Sequence, residues 1–421
     1  MLKKYGMDFA PFKKYRDFRL VWVSGFISHF GIMLTYVALP FQLKELTNSY
    51  LAVGLLGLVE LLPLIIFGLY GGVLADHIDR RKMLLLTEVA ALLITAVLLI
   101  NALLPNPKVW LIYFVTVLFA AVDGLQRPSA DAMLPRLVDH KDLPAANSLI
   151  SLRRQFNLIV APSIAGVLIA TSGVKIAFAL DVVSYLVGIF ILLKVRPVPS
   201  SKESEKPSFS SLVGGLQYAL GRKDLLGTYC VDLAAMFFAF PYALFPFWAE
   251  KVNAPWSLGF FYASLSVGAF LVIVTSRWIN HVNHHGRAIT FAAIGWGAAI
   301  TLAGLVDNVW WVLLCLTISG ACDEISALFR SAVWNQSISD EYRGRLAGIE
   351  LLSYSIGPLG GQARSGLVAD RTSLRTSVVS GGLLCIGFVM LAAKSFPKFW
   401  NYDVTTNEYA VAERIKRAKV Q

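Results

Sequence analysis

The stretch Gly71–Lys82, "GGVLADHIDRRK", lies between two oily runs. Leu51–Tyr70 carries one charge, Glu60, and Met83–Leu104 carries one, Glu88. Between them Asp76, Asp79, Arg80, Arg81 and Lys82 crowd into a few positions. Two runs of that length and greasiness are each long enough to cross hydrocarbon, which takes a helix of about 20 apolar residues. The charged stretch between them then reads as a hairpin turning in water, too short to be a domain.

Composition extends that reading to the whole chain. Of 421 residues, 56% are hydrophobic and 15% charged, with a mean hydropathy of +0.61. Soluble domains carry about a quarter charged residues. Lipid, not an outsized core, is the natural solvent for so much apolar surface. Apolar windows place spans near 19–41, 51–74, 83–104, 109–131, 146–171, 175–194, 225–249, 257–279, 288–306, 309–332, 346–368 and 375–395. The runs are continuous, not alternating, so helices are expected instead of a barrel. The first run is long and lacks a small-residue cleavage site, so it reads as a span and not a cleavable signal. Cys230, Cys315, Cys322 and Cys385 all fall inside spans and lack metal-ligand spacing.

Lysine and arginine concentrate in alternate loops. Lys3, Lys4, Lys13, Lys14 and Arg16 precede the first span, Arg80–Lys82 follow the second, and Arg414, Lys416, Arg417 and Lys419 occupy the tail. The positive-inside rule therefore predicts both termini in the cytoplasm. The net charge of +11 follows from that bias and from anionic headgroups, with no nucleic-acid-binding fold to serve. The polar segment Arg196–Ser211, "RPVPSSKESEKPSFSS", splits the spans six and six. Leu212–Leu220 is a short amphipathic stretch suited to the membrane surface. The expected organisation is an N-terminal six-helix half over 1–195, a cytoplasmic linker over 196–224, a C-terminal half over 225–396 and a tail over 397–421.

The hairpin itself resembles the loop signature of the major facilitator superfamily, usually Gly-x-x-x-Asp-x-x-Gly-Arg-Arg. Gly72, Asp76, Arg80 and Arg81 match it, and Asp79 stands where the glycine is usual. Leu125–Gln155, "LQRPSADAMLPRLVDHKDLPAANSLISLRRQ", is similar to the subfamily of enterobactin exporters and macrolide-efflux proteins. Ala161–Gly173, "APSIAGVLIATSG", resembles the Gly-Pro signature of antiporters, with Ala161 in place of glycine and Pro162 kept. Gly357–Gly361, "GPLGG", repeats that form with Gly357 and Pro358, and Asp340–Ile349, "DEYRGRLAGI", echoes the hairpin before span five. The resemblance implies an all-α integral membrane protein of twelve helices in two pseudo-symmetric halves. It also implies efflux by alternating access.

Charges inside spans are costly and are functional candidates. At about 1.5 Å per residue, His29 and Glu60 fall near the midplane on successive helices. Either they form a proton-titrating pair or they make a static hydrogen bond. Asp123, Asp232 and Asp323 are further proton-coupling candidates. Arg127, four residues from Asp123, reads as a gate residue with Gly72, Asp76, Arg80, Arg81, Pro162, Gly357 and Pro358. Arg153, Arg154, Asn157 and Glu324 are cavity candidates. In span seven, Met236–Trp248, "MFFAFPYALFPFW", offers Phe237, Phe240 and Tyr242 to stack on aromatic cargo, or to pack. Pro241 and Pro246 should bend that helix. His281, His284 and His285 read as a solvated loop, not a metal site. No P-loop or catalytic triad is present, so neither enzyme chemistry nor a cofactor is expected.

These features support a secondary exporter of a small amphipathic or aromatic, siderophore-like molecule, driven by proton antiport. It would act as a monomer in a bacterial inner membrane, with protons and membrane lipid as its other partners. General multidrug or macrolide efflux and lysophospholipid flipping are the alternatives.

Overall fold

The computed structural model describes residues 8–198, 217–218 and 220–418; the side chains of residues 69, 72–77, 131–132, 280, 340–345, 347–352 and 417–418 lie outside that set. Most of the linker and of the amphipathic stretch at 212–220 likewise lies outside the described residues, as does the side chain of Glu350.

Every apolar run became a helix, and no strand occurs among the described residues. The helices are α1 (Arg16–Thr47), α2 (Tyr50–His77), α3 (Arg80–Leu103), α4 (Val109–Leu137), α5 (Leu143–Ser172) and α6 (Val174–Leu192). After the linker come α7 (Lys223–Ala239), α8 (Leu258–Thr275), α9 (His285–Leu305), α10 (Val309–Ser337), α11 (Asp340–Arg371) and α12 (Leu374–Ser395). A tail helix, α13 (Glu408–Ala418), closes the chain. Eleven stretches among the described residues are long and apolar enough to cross a membrane, α7 counting together with the short helix after it as Lys223–Lys251. The described part of α11 carries Ser353, Ser355, Gln362, Arg364 and Ser365. Ser355 and Ser365 are buried, so its polar side faces protein instead of lipid.

The helices are inside-out relative to soluble ones. On α3 the exposed face is Leu86, Leu93 and Ile100, each about 60% accessible, at seven-residue spacing. The opposite face buries Thr87, Glu88, Thr95 and Asn101. Lipid tails accept an apolar exterior, while polar groups inside the bundle must find partners within it.

Helix ends follow local rules. Asp79 Oδ1 accepts from the Lys82 amide at 3.0 Å and caps α3. Asn308 and Ser373 cap α10 and α12 in the same way. Gly173, at φ +74°, makes the sharp turn from α5 into α6.

Two compact units emerge. The first comprises Met1–Asn48, Val59–Pro207 and Pro255–Ala263; the second comprises Ser49–Leu58, Ser208–Ala254 and Ser264–Gln421. Within the first, α1 packs on α6 and α5, and α3 on α4 and α6. Its core includes Leu84, Met133, Leu192, Val195 and Val198. The start of α8 joins this unit because Gly259 lies against α5, where a Cβ would meet the Pro162 carbonyl and sit 2.8 Å from Gly166 N. Within the second, α9 packs on α10 and α12, and α7 on α11 and α12. The start of α2 joins it through Gly54 and Gly366; a Cβ on either would come within 2.9 Å of the other's Cα.

Candidate functional site

The charged hairpin turns in two residues. α2 continues through Gly72 and Asp76 to His77, and α3 begins at Arg80. The side chains of Gly72 and Asp76 lie outside the described residues. Arg80 is buried, its amide bonded to the Val198 carbonyl at 3.0 Å. Its Nε and Nη1 have no hydrogen-bond partner among the described residues. Arg81 reaches the C-terminus of α6, where Nε donates to the Leu192 carbonyl at 3.2 Å and Nη2 to that of Leu193 at 2.7 Å. A cation on the last carbonyls opposes the negative end of the helix dipole. Asp79, in the usual glycine position, serves as the cap of α3.

In the first unit Asp123 and Arg127 form the i,i+4 pair expected from their spacing, at 2.6 Å on α4. His29 is only partly exposed, and its Nε2 lacks a partner. Its electrostatic surroundings are set chiefly by Arg153, Asp123, Arg154 and Arg127. No hydrogen bond or ion pair joins it to Glu60 among the described residues, and Asp123 is the charge acting on Glu60. The expected contact between His29 and Glu60 is therefore absent from this arrangement. Depth alone placed them level, but each side chain's direction around its helix decides whether they meet. Arg153 crosses α1 over Gly25 and donates to the Trp22 carbonyl at 3.3 Å. Asn157 is buried and donates to the Phe26 carbonyl at 2.9 Å. Trp22, Phe26 and Phe156 continue this seam as a row of rings with centroids 5.6 Å apart. Arg154, one position on, is exposed.

Two carboxylates missing from the sequence candidates are buried in the first unit. Glu88 on α3 is 5% exposed; it accepts from Ser28 Oγ at 2.7 Å and from Gln126 Nε2 at 3.3 Å. Asp181 on α6 is wholly buried, with Thr35 Oγ1 at 2.5 Å and Thr95 Oγ1 at 3.4 Å from Oδ2. The signal was present: each is the lone acid in an apolar run.

In the second unit α7 breaks outright. Phe240 is extended (φ −109°, ψ 92°), Pro241 follows, and a short helix resumes at Phe245–Lys251. The proline bend expected here is thus a full discontinuity. Trp296 Nε1 donates to the freed Ala239 carbonyl at 3.1 Å, as a broken helix inside a membrane requires. Beyond the break Phe240 and Tyr242 stack at 4.0 Å. Glycines of α11 admit the neighbouring rings: a Cβ on Gly360 would lie 3.2 Å from Phe237, and one on Gly361 3.2 Å from Phe240 Cβ. Gly357, beside Pro358, faces Met236 at 2.8 Å on the same measure. Asp232 is ion-paired to Arg330, and Ser353 Oγ donates to its other oxygen at 3.3 Å. Asp323 lies in the field of Arg330, Asp232 and Glu324, and itself acts on Tyr242. The candidates on α7, α10 and α11 therefore gather around the broken helix. No group of three or more potential metal-ligating side chains occurs among the described residues.

Comparison with known proteins agrees with this architecture. A family model described as transmembrane secretion effector matches residues 7–418. The chain is 28% identical over 394 residues to the enterobactin exporter EntS of Escherichia coli O1:K1 / APEC, covering 91% of this chain and 93% of that one. The Shigella boydii serotype 18 exporter matches equally. Among solved structures, the nucleoside transporter NupG superposes with a TM-score of 0.71 at 11% identity, covering 92% of this chain and all of that one. A bacterial homologue of the iron transporter ferroportin, in an inward-facing state, gives 0.66 at 15% identity over 91% of this chain and 98% of that one. Twelve long helices, charges buried among them and this family match give one conclusion: the chain belongs to the transmembrane secretion effector family of the major facilitator superfamily, a multi-pass exporter of small molecules and not an enzyme.

Proposed function

We propose that this transporter exports a small, partly aromatic, siderophore-like molecule across a bacterial inner membrane in exchange for protons. The observation that carries the reading is the break in α7, with the stacked Phe240 and Tyr242 beside it. Broken helices in transporters present freed backbone groups and flanking side chains to cargo at mid-membrane, and stacked rings suit a planar aromatic group. Similarity to enterobactin exporters along nearly the whole chain supports the same class of cargo. Phe237, Phe240, Tyr242 and Glu324 are the cargo contacts in this reading, with Arg153, Arg154 and Asn157 in the other half.

Both termini face the cytoplasm, the halves 1–195 and 225–396 rock about the cargo as a monomer, and 196–224 is the cytoplasmic linker. Gly72, Asp76, Arg80, Arg81, Arg127, Pro162, Gly357 and Pro358 serve the gates. His29, Glu60, Asp123 and Asp323 are the charges through which proton binding is coupled, and Asp232, paired with Arg330, braces them.

The test is transport of enterobactin by the purified protein in proteoliposomes with an imposed proton gradient. Uptake into the compartment from which protons leave, abolished by a protonophore, is the expected result. Transport unaffected by the gradient overturns antiport. Absence of enterobactin transport, alongside a different metabolite accumulating in cells that lack the protein, overturns the siderophore assignment.

A further inference from the structure

Asp181 belongs to none of the groups assigned above, yet among the described residues it is the most completely enclosed acid in its unit. The helices packed against α6 are α1, α3 and α5. Glu88 on α3 and Tyr185 on α6 itself are coupled electrostatically to Asp181, and His29 on α1 and Arg153 on α5 lie on the same packed helices. None of these makes an ion pair or hydrogen bond with Asp181. The groups that touch its carboxyl are hydroxyls: Thr35 and Thr95 at Oδ2, and Ser184 at Oδ1, 3.3 Å away.

Counting hydrogens decides what such a pocket can hold. A hydroxyl has one proton and two lone pairs, and a carbonyl only accepts. Ser184 Oγ lies 2.8 Å from the Asp181 backbone carbonyl, closer than Oδ1. Thr95 Oγ1 lies 3.0 Å from the Ala91 carbonyl, closer than Oδ2. Those two protons therefore go to the backbone, and both oxygens turn lone pairs toward the carboxyl. Thr35 alone is left to donate. An ionised carboxylate, with about four acceptor sites to fill, would be nearly unsatisfied and without a counter-charge. A carboxylic acid instead donates its O–H to a waiting hydroxyl oxygen and accepts from Thr35.

The pocket repeats two turns away. Ser28, Glu88 and Gly188 lie seven positions from Thr35, Thr95 and Asp181 on the same three helices, about 10 Å along the axes. Gly31 and Gly188 supply the room: a Cβ on Gly31 would collide with Ser184 and Asp181, and one on Gly188 with Ser28, 3.4 Å from Glu88 Oε2. Small residues here make space for acids, not for tighter helix packing.

We propose that Asp181 is a proton-binding site, held as a neutral acid in a hydroxyl-lined seam between α1, α3 and α6. Exchange of that proton with water during the transport cycle is its coupling role. The coupling role rests on the proton-driven reading above; the site itself does not.

Infrared difference spectroscopy on the purified full-length protein in lipid nanodiscs tests this. Aspartate labelled with heavy carbon at the side-chain carboxyl separates its bands from those of glutamate. A label-sensitive C=O band of a protonated acid should be present at neutral pH and absent in Asp181→Asn. Thr35→Val keeps the carboxyl but removes its one donor, so it should shift that band even where the asparagine variant does not fold. No such band at neutral pH, or a band unmoved by both substitutions, overturns the site. A band that behaves as expected in a protein whose transport ignores the proton gradient keeps the site and removes its coupling role.

Discussion

The first unit holds Asp181 and Glu88 by hydroxyl and amide groups, with no ion pair to either among the described residues. The second holds Asp232 by the Arg330 guanidinium, and closer to the water Asp224 by Arg222. That latter pair is bidentate at 2.7 and 2.8 Å, with Arg222 also stacked over Tyr409 of α13 at 3.5 Å. The contrast is between an acid that can be neutralised by one proton and an acid already neutralised by a cation. Protonating the first removes a buried charge. Protonating the second leaves a buried arginine without its partner. The two units thus differ: these acids of the first have hydroxyl and amide partners, and these acids of the second are braced by arginine.

The largest expected effect tests the brace. Asp232→Asn strands the Arg330 charge, whose Nε is already without a hydrogen-bond partner. It should cost about 3–5 kcal/mol, read as a lowered thermal midpoint in detergent. Asp232→Asn with Arg330→Met should recover most of that loss. If the single variant melts like the parent, Asp232 is not a strut.

Arg222→Lys keeps the charge but forfeits the bidentate geometry and the ring contact. The expected loss is about 2 kcal/mol, with earlier proteolysis of the tail, since Tyr409 loses the guanidinium stacked on its ring. A tail as protease-resistant as before would show that α13 docks by apolar contact alone.

Glu88→Gln should be mild. The Ser28 donor still has an oxygen to reach, so the cost is about 1 kcal/mol or less. A loss as large as that of Asp232→Asn would mean that Glu88 is ionised and braced like its counterpart, collapsing the contrast.

The smallest effect is at the surface. Hydrogen bonds from Tyr15 and Lys14 hold Asp139 and Asp142 below the usual carboxylate range. The same contacts, with Tyr15 first, hold Lys14 above the usual lysine range. For acids with depressed values, the stabilisation is present above the ordinary value of 3.8 and lost as pH falls through it. For the raised lysine it is present below 10.5 and lost only at higher pH. Stability should therefore be flat through neutrality and dip in acid, by an amount that salt reduces. Lys14→Gln should remove the salt sensitivity of that dip.

Much of this was legible in the chain. Apolar runs located all twelve helices because hydrocarbon solvates them one at a time, without reference to neighbours. The Asp123–Arg127 pair followed from helical spacing alone. Pro241 and Pro246 announced trouble in α7, although the sequence suggested a bend where the backbone breaks. His29 and Glu60 show where such reasoning stops. Their depth was computable, but whether they face each other depends on the rotation of two helices about their axes. Asp181 shows the same gap from the other side. Its partners Thr35 and Thr95 lie 146 and 86 positions away, so nothing local distinguished it from an acid lining a cavity.

By itself the sequence determined that the chain lives in lipid and where its helices lie, though not their ends: the first runs to Thr47, past the expected 41, and the seventh stops at Ala239, short of 249. Those properties depend on transfer of each segment from water and on hydrogen bonds within each helix. Only the tertiary structure decided which buried acids meet arginine and which meet hydroxyls. A charge in a low-dielectric interior takes its character from the few groups within hydrogen-bonding distance, and packing brings those together from across the sequence.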